Sequence, residues 1–277
     1  MRPTPRPKPP AGAVPLADYP NVYDAAFSWD RSAEARTFLR VARTRRGSPP
    51  RSAVELACGT GPLARLWAGW GIDAYGVDRS RTAMGRARQL SRGIIPPEHW
   101  VTADVTNFRL PRRVDLATMP LDGLGYLVEY ESLRNFFRAV WRSLTPGGIL
   151  AIDLTLHPAG CVPLTIRNSW KVALRPLGNL RASWNSQGRP WGAPPRQWEV
   201  GRIAVSVPGR PVQVFWEASP HAALTLQDLR VLSNEAGWKG EMWLFSDAAH
   251  RARGARLRRV SLSQRVHGSR LVCWQRT

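Results

Sequence analysis

Long hydrophobic runs are absent from this sequence of 277 residues. No stretch approaches the roughly 18 consecutive apolar residues that a membrane-spanning helix needs. The N-terminal segment MRPTPRPKPPAGAVP also lacks the apolar centre of a secretory signal peptide. We therefore expect a soluble, cytoplasmic protein without a membrane partner. Its 43% of hydrophobic residues is enough for a substantial core.

Cysteine is scarce as well. The three cysteines, Cys58, Cys161 and Cys273, are an odd number at long spacings, and none belongs to a CxxC pair. Disulfide frameworks and zinc sites need several thiols or histidines at suitable spacings. The sequence therefore predicts neither a disulfide framework nor a metal site.

Lysine and acidic residues are few. Lysine occurs only at Lys8, Lys171 and Lys239, so nearly all of the 40 cationic residues are arginine, and 20 acids leave a formal charge of +20. A net positive charge of this size favours the binding of nucleic acid, because lysine and arginine side chains neutralise its phosphates. The arginines are spread along the whole chain, however, which a general bias toward arginine explains equally well. The densest cluster, HRARGARLRR at His250–Arg259, is predicted to be a solvated hairpin arm, with a polyanion-binding loop as the alternative.

The sequence does contain a conspicuous glycine turn in VELACGTGPLARL, which begins at Val54. Its apolar run ends at Ala57, Gly59 and Gly61 follow, and a proline comes next, where the start of a helix tolerates it. Glycine allows a ligand to approach the backbone closely. The stretch therefore predicts a strand, a tight turn that holds a ligand, and a helix.

Apolar runs and amphipathic segments alternate after this turn. The predicted strands are Ile72–Val77, Trp100–Ala103, Val114–Met119 and Ile149–Leu154, and the predicted helices are Arg81–Ser91 and Glu131–Leu144. Strands that alternate with helices form a parallel sheet, whose ligands bind at the carboxyl ends of the strands. The sequence thus predicts an α/β fold with a Rossmann-like, doubly wound sheet.

Two classes of ligand fit the glycine turn. Gly59, Gly61 and Ala64 satisfy the G-x-G-x-x-G/A pattern of dinucleotide-binding proteins, and Asp78 stands where their ribose-binding acid belongs. Glu55 argues against a dinucleotide, because it places a carboxylate near a site meant for pyrophosphate. S-adenosylmethionine, which carries a sulfonium and an amino acid head group, suits Glu55 and Asp78 better.

The segment ELACGTG, Glu55–Gly61, resembles motif I of class I S-adenosylmethionine-dependent methyltransferases. VDLATMPLDGLGYL and LTPGGILAIDL resemble the fourth-strand and fifth-strand motifs of their small-molecule subgroup, which has domains of types 25 and 11. The resemblance implies a seven-stranded sheet with an antiparallel closing hairpin, S-adenosylmethionine as cofactor, and a small-molecule methyl acceptor. It implies that Asp78 holds the ribose hydroxyls and that Asp104 meets the adenine. The cofactor-binding residues that it implies are Glu55, Ala57, Cys58, Gly59, Gly61, Asp78, Arg79, Asp104, Val105 and Met119.

The subgroup commonly has serine and asparagine where this chain has Gly123 and Gly125. Polar contacts of the subgroup are therefore missing at these positions or are made by water. This departure concerns the handling of the substrate and leaves the predicted cofactor site unchanged.

The rest of the chain divides into regions around the predicted core. Residues 1–15 are expected to be a disordered tail rich in proline and arginine, residues 16–49 a helical cap, and residues 50–156 the cofactor-binding core. Residues 157–220 read as an antiparallel β insertion that covers the substrate site, and residues 221–277 as a helix and two closing strands. Most tryptophans of the insertion are expected to fill a satellite core, with an aromatic wall for the substrate as the alternative.

A general base is not identified by the sequence. Methyl transfer is an in-line displacement that depends mainly on alignment, and a base is needed only when the nucleophile, nitrogen or oxygen, arrives protonated. The candidates near the strand ends and in the cap are Tyr126, Asp122, His157 and Tyr23.

Two other functions remain open from the sequence: an RNA-directed methyltransferase, and a non-catalytic protein that binds S-adenosylmethionine or RNA. Met119–Asp122 lacks the Asn/Asp-Pro-Pro-aromatic motif of enzymes that methylate base amino groups, and Cys161 lies beyond the fifth strand, away from the position that cytosine C5 chemistry needs. Nucleic acid is therefore an alternative partner and a small molecule the favoured one.

Overall fold

The structure is a computed structural model that describes residues 4–158, 165–174, 178–246, 259–260 and 267–277. The helices are α1 Pro20–Ala26, α2 Ser32–Arg46, α3 Pro62–Gly69, α4 Arg81–Leu90, α5 Tyr130–Ser143 and α6 Leu226–Glu235. The strands are β1 Val14–Pro15, β2 Ser52–Leu56, β3 Asp73–Asp78, β4 Trp100–Thr102, β5 Val114–Met119, β6 Leu144–Leu156, β7 Arg167–Leu174, β8 Gly178–Trp191, β9 Arg196–Ser206, β10 Gln213–Ala222, β11 Met242–Ser246, β12 Arg259–Val260 and β13 Gly268–Gln275. Within these ranges, no helix is both long and apolar enough to cross a bilayer.

The larger sheet has the strand order β12-β11-β13-β6-β5-β2-β3-β4. Strands β2 to β6 run parallel, whereas β13 pairs antiparallel with β6 and β11 pairs antiparallel with β13. Apart from the two-residue strand β12, this is the seven-stranded sheet with an antiparallel closing hairpin that the resemblance implies. The predicted α/β, Rossmann-like fold is therefore confirmed.

Apolar side chains cover both faces of this sheet. Successive residues of a strand point to opposite faces, so Val54 of β2 packs in the layer of α5 and α6, while Ala53 packs in the layer of α2 and α3. Helix α5 buries the predicted apolar stripe, which includes Leu133, Phe136, Phe137 and Val140. Helices on both faces thus enclose the parallel strands, and the carboxyl ends of these strands form one edge of the core.

A smaller sheet has the order β1-β10-β9-β8-β7. Its strands β7 to β10 pair antiparallel, as predicted for the insertion. Leu180 and Ile203 of this sheet pack against Leu16 and against Ala26 of α1. Residues of β10 and α1 also line one cavity together with Asp78 at the carboxyl end of β3. The smaller sheet and α1 therefore lie above the strand ends, where the sequence predicts the ligand site.

The N-terminal tail contributes to the smaller sheet, where the sequence predicted disorder. Val14–Pro15 pair in parallel with Phe215–Trp216, and the Trp198 indole N–H donates a hydrogen bond to the Thr4 carbonyl at 2.8 Å. An edge strand tolerates proline, because its outer N–H positions face away from the ladder. The tail therefore covers the exposed edge of β10.

The fifth strand of the core, β6, is longer than the predicted Ile149–Leu154. It begins at Leu144, because the Gly147 N–H donates to the Arg276 carbonyl and the Arg276 N–H donates to the Gly148 carbonyl, both at 2.8 Å. Hydrogen bonds to the C-terminal residues therefore lengthen β6 at its N-terminal end, although the glycines there are typical of a turn.

Two predictions concern residues that lie outside the described ranges. Cys161 is one of them, while Cys58 and Cys273 are free and buried. The basic arm His250–Arg259 is the other; of its residues the structure describes Arg259, whose guanidinium lies 3.4 Å from the Glu241 carboxylate. Whether this arm binds polyanions stays a prediction.

Candidate active site

The glycine turn lies between β2 and α3 and has an unusual backbone. Ala57, Gly59 and Gly61 all adopt positive φ angles, of 50°, 55° and 69°, a region that costs L-residues about 1–2 kcal/mol. Ala57 and Gly59 line a cavity of about 330 Å³, together with Cys58. Three of the predicted cofactor residues therefore meet at one wall.

The two glycines serve different purposes. A Cβ added at Gly59 would meet nothing within 4 Å, so this position opens onto the cavity. A Cβ added at Gly61 would lie 2.2 Å from the Trp100 indole, which is buried in the core. The missing side chain of Gly61 thus makes room for Trp100, whereas Gly59 faces the cavity. A contact between Gly61 and the cofactor stays a prediction.

Asp78 connects the end of β3 to the same turn. One of its carboxylate oxygens accepts a hydrogen bond from the Gly59 N–H at 2.8 Å, and the other accepts one from the Ser80 N–H at 2.8 Å. Asp78 and Arg79 line both the 330 Å³ cavity and an adjoining cavity of about 250 Å³. The carboxylate therefore holds the turn and faces the space that a ligand would occupy.

The remaining predicted cofactor residues line the adjoining cavity. Asp104 follows β4 and is exposed; its carboxylate accepts hydrogen bonds from the Thr106 N–H at 2.8 Å and the Thr106 hydroxyl at 2.6 Å. Val105 and Met119 line the same cavity. An acid and two apolar side chains thus line the same cavity as Ala57 of the glycine turn.

Glu55 lies at the inner wall of the 330 Å³ cavity and is 1% exposed. Its carboxylate accepts a hydrogen bond from the Ala64 N–H, in the first turn of α3, at 2.9 Å. Burial raises the pKa of Glu55 to about 7, against the opposing charge of Arg31. Arg31 itself forms a buried ion pair with Glu34 at 2.7 Å.

The raised pKa of Glu55 predicts a pH-dependent stability in the ligand-free protein. A buried carboxyl group with a raised pKa stabilises the fold fully below its unfolded pKa of about 4.5, and this contribution is lost as pH rises through about 7. In urea unfolding, we expect the stability of the wild type relative to Glu55→Gln to fall by on the order of 2 kcal/mol between pH 4.5 and pH 8. A difference that is constant across this range would contradict the burial of an ionisable Glu55.

A third, larger cavity of about 1000 Å³ adjoins the other two. Tyr23 of α1 and Tyr126 of the 3₁₀ turn Gly123–Tyr126 line all three cavities, and Asp122 lines the largest one. Three of the four candidate bases therefore come together at this junction. His157 is buried beside β6 and lines a small cavity with His221, which shares Ile166 and Glu199 with the largest cavity. Burial lowers the pKa of His157 to about 4.

Two carboxylates that sequence reasoning missed lie at the same junction. Glu199 of β9 lines the largest cavity and accepts a hydrogen bond from the Tyr126 hydroxyl, and Glu217 of β10 lines the two smaller ones. Burial, and next the charge of Glu199, raises the pKa of Glu217 to about 7. The sequence signal that could have pointed to these two glutamates is that they stand in apolar strands of a chain with few acidic residues.

His221 was also missed, and it explains the glycine at position 125. Its Nε2 lies 3.2 Å from the Asp122 carbonyl oxygen, and its ring packs edge to face with Tyr126 at 5.1 Å. A Cβ at Gly125 would lie 2.0 Å from the imidazole. Burial lowers the pKa of His221, but the carboxylates of Glu199 and Asp122 outweigh it and hold this pKa above its ordinary value. Where the subgroup has a polar side chain, this protein therefore has a histidine from β10.

Aromatic rings form one wall of the largest cavity. Phe27, Trp29, Trp170 and Trp184 line it; Tyr23 stacks on Phe27 at 4.3 Å. The Trp170 and Trp184 rings are stacked at 5.9 Å. Other tryptophans pack elsewhere on the smaller sheet, as expected: the pair Trp191 and Trp198 at 5.2 Å, and Trp216 beside Val200. The insertion thus supplies both an aromatic wall and a satellite core.

Comparison with known proteins shows what the core is similar to. Residues 53–148 match the family described as a methyltransferase domain. The chain is similar to the dTDP-4-amino-2,3,4,6-tetradeoxy-D-glucose N,N-dimethyltransferase of Saccharopolyspora spinosa, with 28% identity over 139 residues that make up 49% of this chain and 54% of the relative. The match thus spans about half the length of that relative. The resemblance to class I methyltransferases is confirmed over the matched residues.

Solved structures share the fold of nearly the whole chain. The sugar N-methyltransferase KedS8 from a Streptoalloteichus species superposes with a TM-score of 0.69 at 21% identity, covering 100% of this chain and 98% of that one. CalS10, an amino pentose methyltransferase from Micromonospora echinaspora determined with bound S-adenosylmethionine, superposes with a TM-score of 0.68 at 18% identity, covering 92% and 97%. The whole chain, with its smaller sheet, therefore shares the fold of these solved structures.

Proposed function

We propose that this protein transfers the methyl group of S-adenosylmethionine to an amino nitrogen of a small, sugar-like acceptor. The observation that carries the proposal is the junction of the three cavities at Tyr23 and Tyr126. On one side lie the two smaller cavities, which are lined by the glycine turn, by its carboxylates and by Glu217, and on the other lies the largest cavity with the aromatic wall and Glu199. The names of the similar proteins, which act on amino sugars or on sugar nitrogen, support this class of acceptor.

The residues around the turn fit S-adenosylmethionine. Gly59 leaves open space at the cavity wall, Asp78 offers carboxylate oxygens for ribose hydroxyls, and Glu55 is an acid on the side of a cationic head group. Asp104 and Val105 suit an adenine at the far end. When bound, the cofactor supplies a methyl group on a positively charged sulfur. A cavity of about 330 Å³ is within the usual range for small-molecule sites.

The residues of the chain mainly align and enclose the reactants in this proposal. Alignment of nucleophile and electrophile supplies up to roughly 7–11 kcal/mol of barrier reduction in favourable cases. Tyr23 and Tyr126 stand between the two binding spaces, and the Thr60 hydroxyl donates a hydrogen bond to Asp24 of α1, which ties the helix of Tyr23 to the glycine turn.

Calorimetric titration tests the cofactor assignment. We expect S-adenosylmethionine to bind the wild-type protein and NAD to bind far more weakly, because the acids Glu55 and Asp78 favour a cationic ligand over a pyrophosphate. Tighter binding of NAD than of S-adenosylmethionine would contradict the proposal and restore the dinucleotide alternative.

Trp29 offers a test of the acceptor cavity. It is 45% exposed and packs near Phe27 and Trp170 at 5.2 and 5.9 Å. We expect Trp29→Ala to raise the KM for dTDP-4-amino-2,3,4,6-tetradeoxy-D-glucose about 3- to 10-fold. The Kd of S-adenosylmethionine should not change, since Trp29 lines only the largest of the three cavities.

A matched control is Trp70→Ala, at the end of α3, where the indole packs against Arg36 at 4.6 Å. This variant should keep the wild-type KM. Equal KM values for both tryptophan variants would show that the aromatic wall does not contact the acceptor.

A further inference from the structure

Glu217 is an acid without a matching cation at the junction of the cavities. It lines both smaller cavities with Tyr23, Ala57 and Tyr126. Within the described residues, no hydrogen bond or ion pair to its carboxylate is found, and the neighbouring charge that acts on it is another carboxylate, Glu199. A partly buried carboxylate without a partner is costly, which points to a ligand that supplies the missing positive charge.

The two acids share one face of the smaller sheet. Glu199 pairs in register with Ser219, and Glu217 pairs with Gly201, so the two glutamates are diagonal neighbours on adjacent strands. Diagonal neighbours on one face are within reach of long side chains. Glu199 receives the hydrogen bond of the Tyr126 hydroxyl, whereas Glu217 keeps its oxygens free for a ligand.

We infer that Glu217 accepts the proton of the acceptor's ammonium group, while Glu199, held by Tyr126, positions that ammonium. This inference rests on the proposed function. An ammonium nitrogen has no lone pair, so one N–H proton first moves to a carboxylate oxygen of Glu217. The freed lone pair then forms the N–C bond as the methyl C–S bond breaks and its electron pair stays on sulfur. The products are a methylated ammonium, a neutral thioether and a protonated Glu217, and the total charge is conserved.

The other titratable groups at the junction are less suited than Glu217 to accept the proton of the ammonium group. They are Tyr23 from α1, Asp122 and Tyr126 from the turn after β5, Asp78 and Arg79 from the end of β3, Glu199 from β9 and His221 from β10. The Asp122 carboxylate accepts a hydrogen bond from the Thr155 N–H at 2.9 Å. Burial raises the pKa of both Tyr23 and Tyr126 above the ordinary value, so these hydroxyls act as neutral donors. Asp78 is occupied by the Gly59 and Ser80 N–H groups. The pKa of Glu217, raised to about 7 by burial, lies close to that of an amine, which favours proton transfer.

The kinetic test uses Glu217→Gln, with dTDP-4-amino-2,3,4,6-tetradeoxy-D-glucose as the acceptor. We expect kcat/KM for the acceptor at pH 7, measured at saturating S-adenosylmethionine, to fall about 10²- to 10⁴-fold. The loss should shrink at least about tenfold near pH 9, where solvent itself supplies the neutral amine. The control Glu131→Gln makes the same chemical change on the exposed side of α5 and should match the wild type at each pH.

A binding measurement provides a readout without turnover. At pH 7 a carboxyl group with a pKa of about 7 is half protonated, so binding of the ammonium should expel about half a proton. Calorimetric titration of the cofactor-free protein with the same amino sugar, in buffers of different ionisation enthalpy, measures this release. We expect it for the wild type and for Glu131→Gln and expect it to vanish in Glu217→Gln.

The possible failures are distinguishable. The wild type could methylate the amino sugar while Glu217→Gln does so equally well, or less well by the same factor at every pH. Either result would overturn the role of Glu217 and leave the proposed function intact. Undiminished proton release in Glu217→Gln would overturn it as well. A wild type that binds the cofactor but never methylates the amino sugar would contradict the proposed function, and the inference would fall with it.

Discussion

Replacement of Gly61 by alanine should destabilise the protein by about 2–5 kcal/mol, and this loss should appear without any ligand. The added Cβ would lie 2.2 Å from the buried Trp100 ring, an overlap that costs about 1–3 kcal/mol when a core has to adjust. The φ angle of 69° adds the strain of the left-handed region, about 1–2 kcal/mol for alanine. Urea unfolding of the ligand-free protein measures the sum.

Gly59→Ala is the matched control for this prediction. It carries similar backbone strain, with a φ angle of 55°, but its Cβ meets nothing within 4 Å. We expect a loss of stability of only about 1–2 kcal/mol and at least a roughly tenfold loss of S-adenosylmethionine affinity, because the new methyl group enters the cavity. Equal stability of the two variants would show that Trp100 moves aside at no cost, and normal cofactor affinity of Gly59→Ala would show that the ligand does not approach the turn.

Asp78→Ala should weaken S-adenosylmethionine binding about 10- to 100-fold. A hydrogen bond from a ribose hydroxyl to a carboxylate contributes about 1.5–3 kcal/mol, and each 1.4 kcal/mol is about a factor of ten in Kd. The same substitution removes the acceptor of the Gly59 N–H, so the turn loses part of its support. Calorimetric titration gives the Kd, and circular dichroism checks that the variant is folded.

The control for Asp78→Ala lies at the other end of the same strand. Asp73 begins β3 and contacts His99 at 3.4 Å and the Tyr75 hydroxyl at 3.0 Å, away from the cavities. Asp73→Ala should therefore keep the wild-type cofactor affinity. If folded Asp78→Ala binds S-adenosylmethionine as tightly as the wild type, Asp78 does not hold the ribose, whatever activity the protein has.

The lining of the two smaller cavities was largely predictable, because many of its residues stand at the ends of parallel strands. Glu55, Gly59 and Asp78 stand at or just beyond the ends of consecutive strands, and neighbouring parallel strands bring such positions together at one edge. The alternation of apolar runs and amphipathic segments predicts the strands. It thereby also predicts which polar residues lie together at the carboxyl ends of these strands. The core strand β5 was predicted with the same bounds that the structure has.

The acceptor side could not be predicted in the same way. Glu199 and Glu217 reach the junction only because β9 and β10 pair with each other and lie over Tyr126, which is 73 residues before Glu199. Antiparallel pairing between strands gives no local signal for which face meets a distant element. The packing partner of Gly61 could not be predicted for a related reason, since the ring beside its missing Cβ position belongs to Trp100, two strands away in the sheet.

One measurement tests the central claim most directly: mass spectrometry and NMR of dTDP-4-amino-2,3,4,6-tetradeoxy-D-glucose after incubation with the protein and S-adenosylmethionine carrying a labelled methyl group. The expected result is an added labelled methyl on the 4-amino nitrogen, formed at a rate proportional to protein concentration and lost in Glu217→Gln at pH 7. Transfer to oxygen, or no transfer by a wild-type protein that binds the cofactor, would contradict the account.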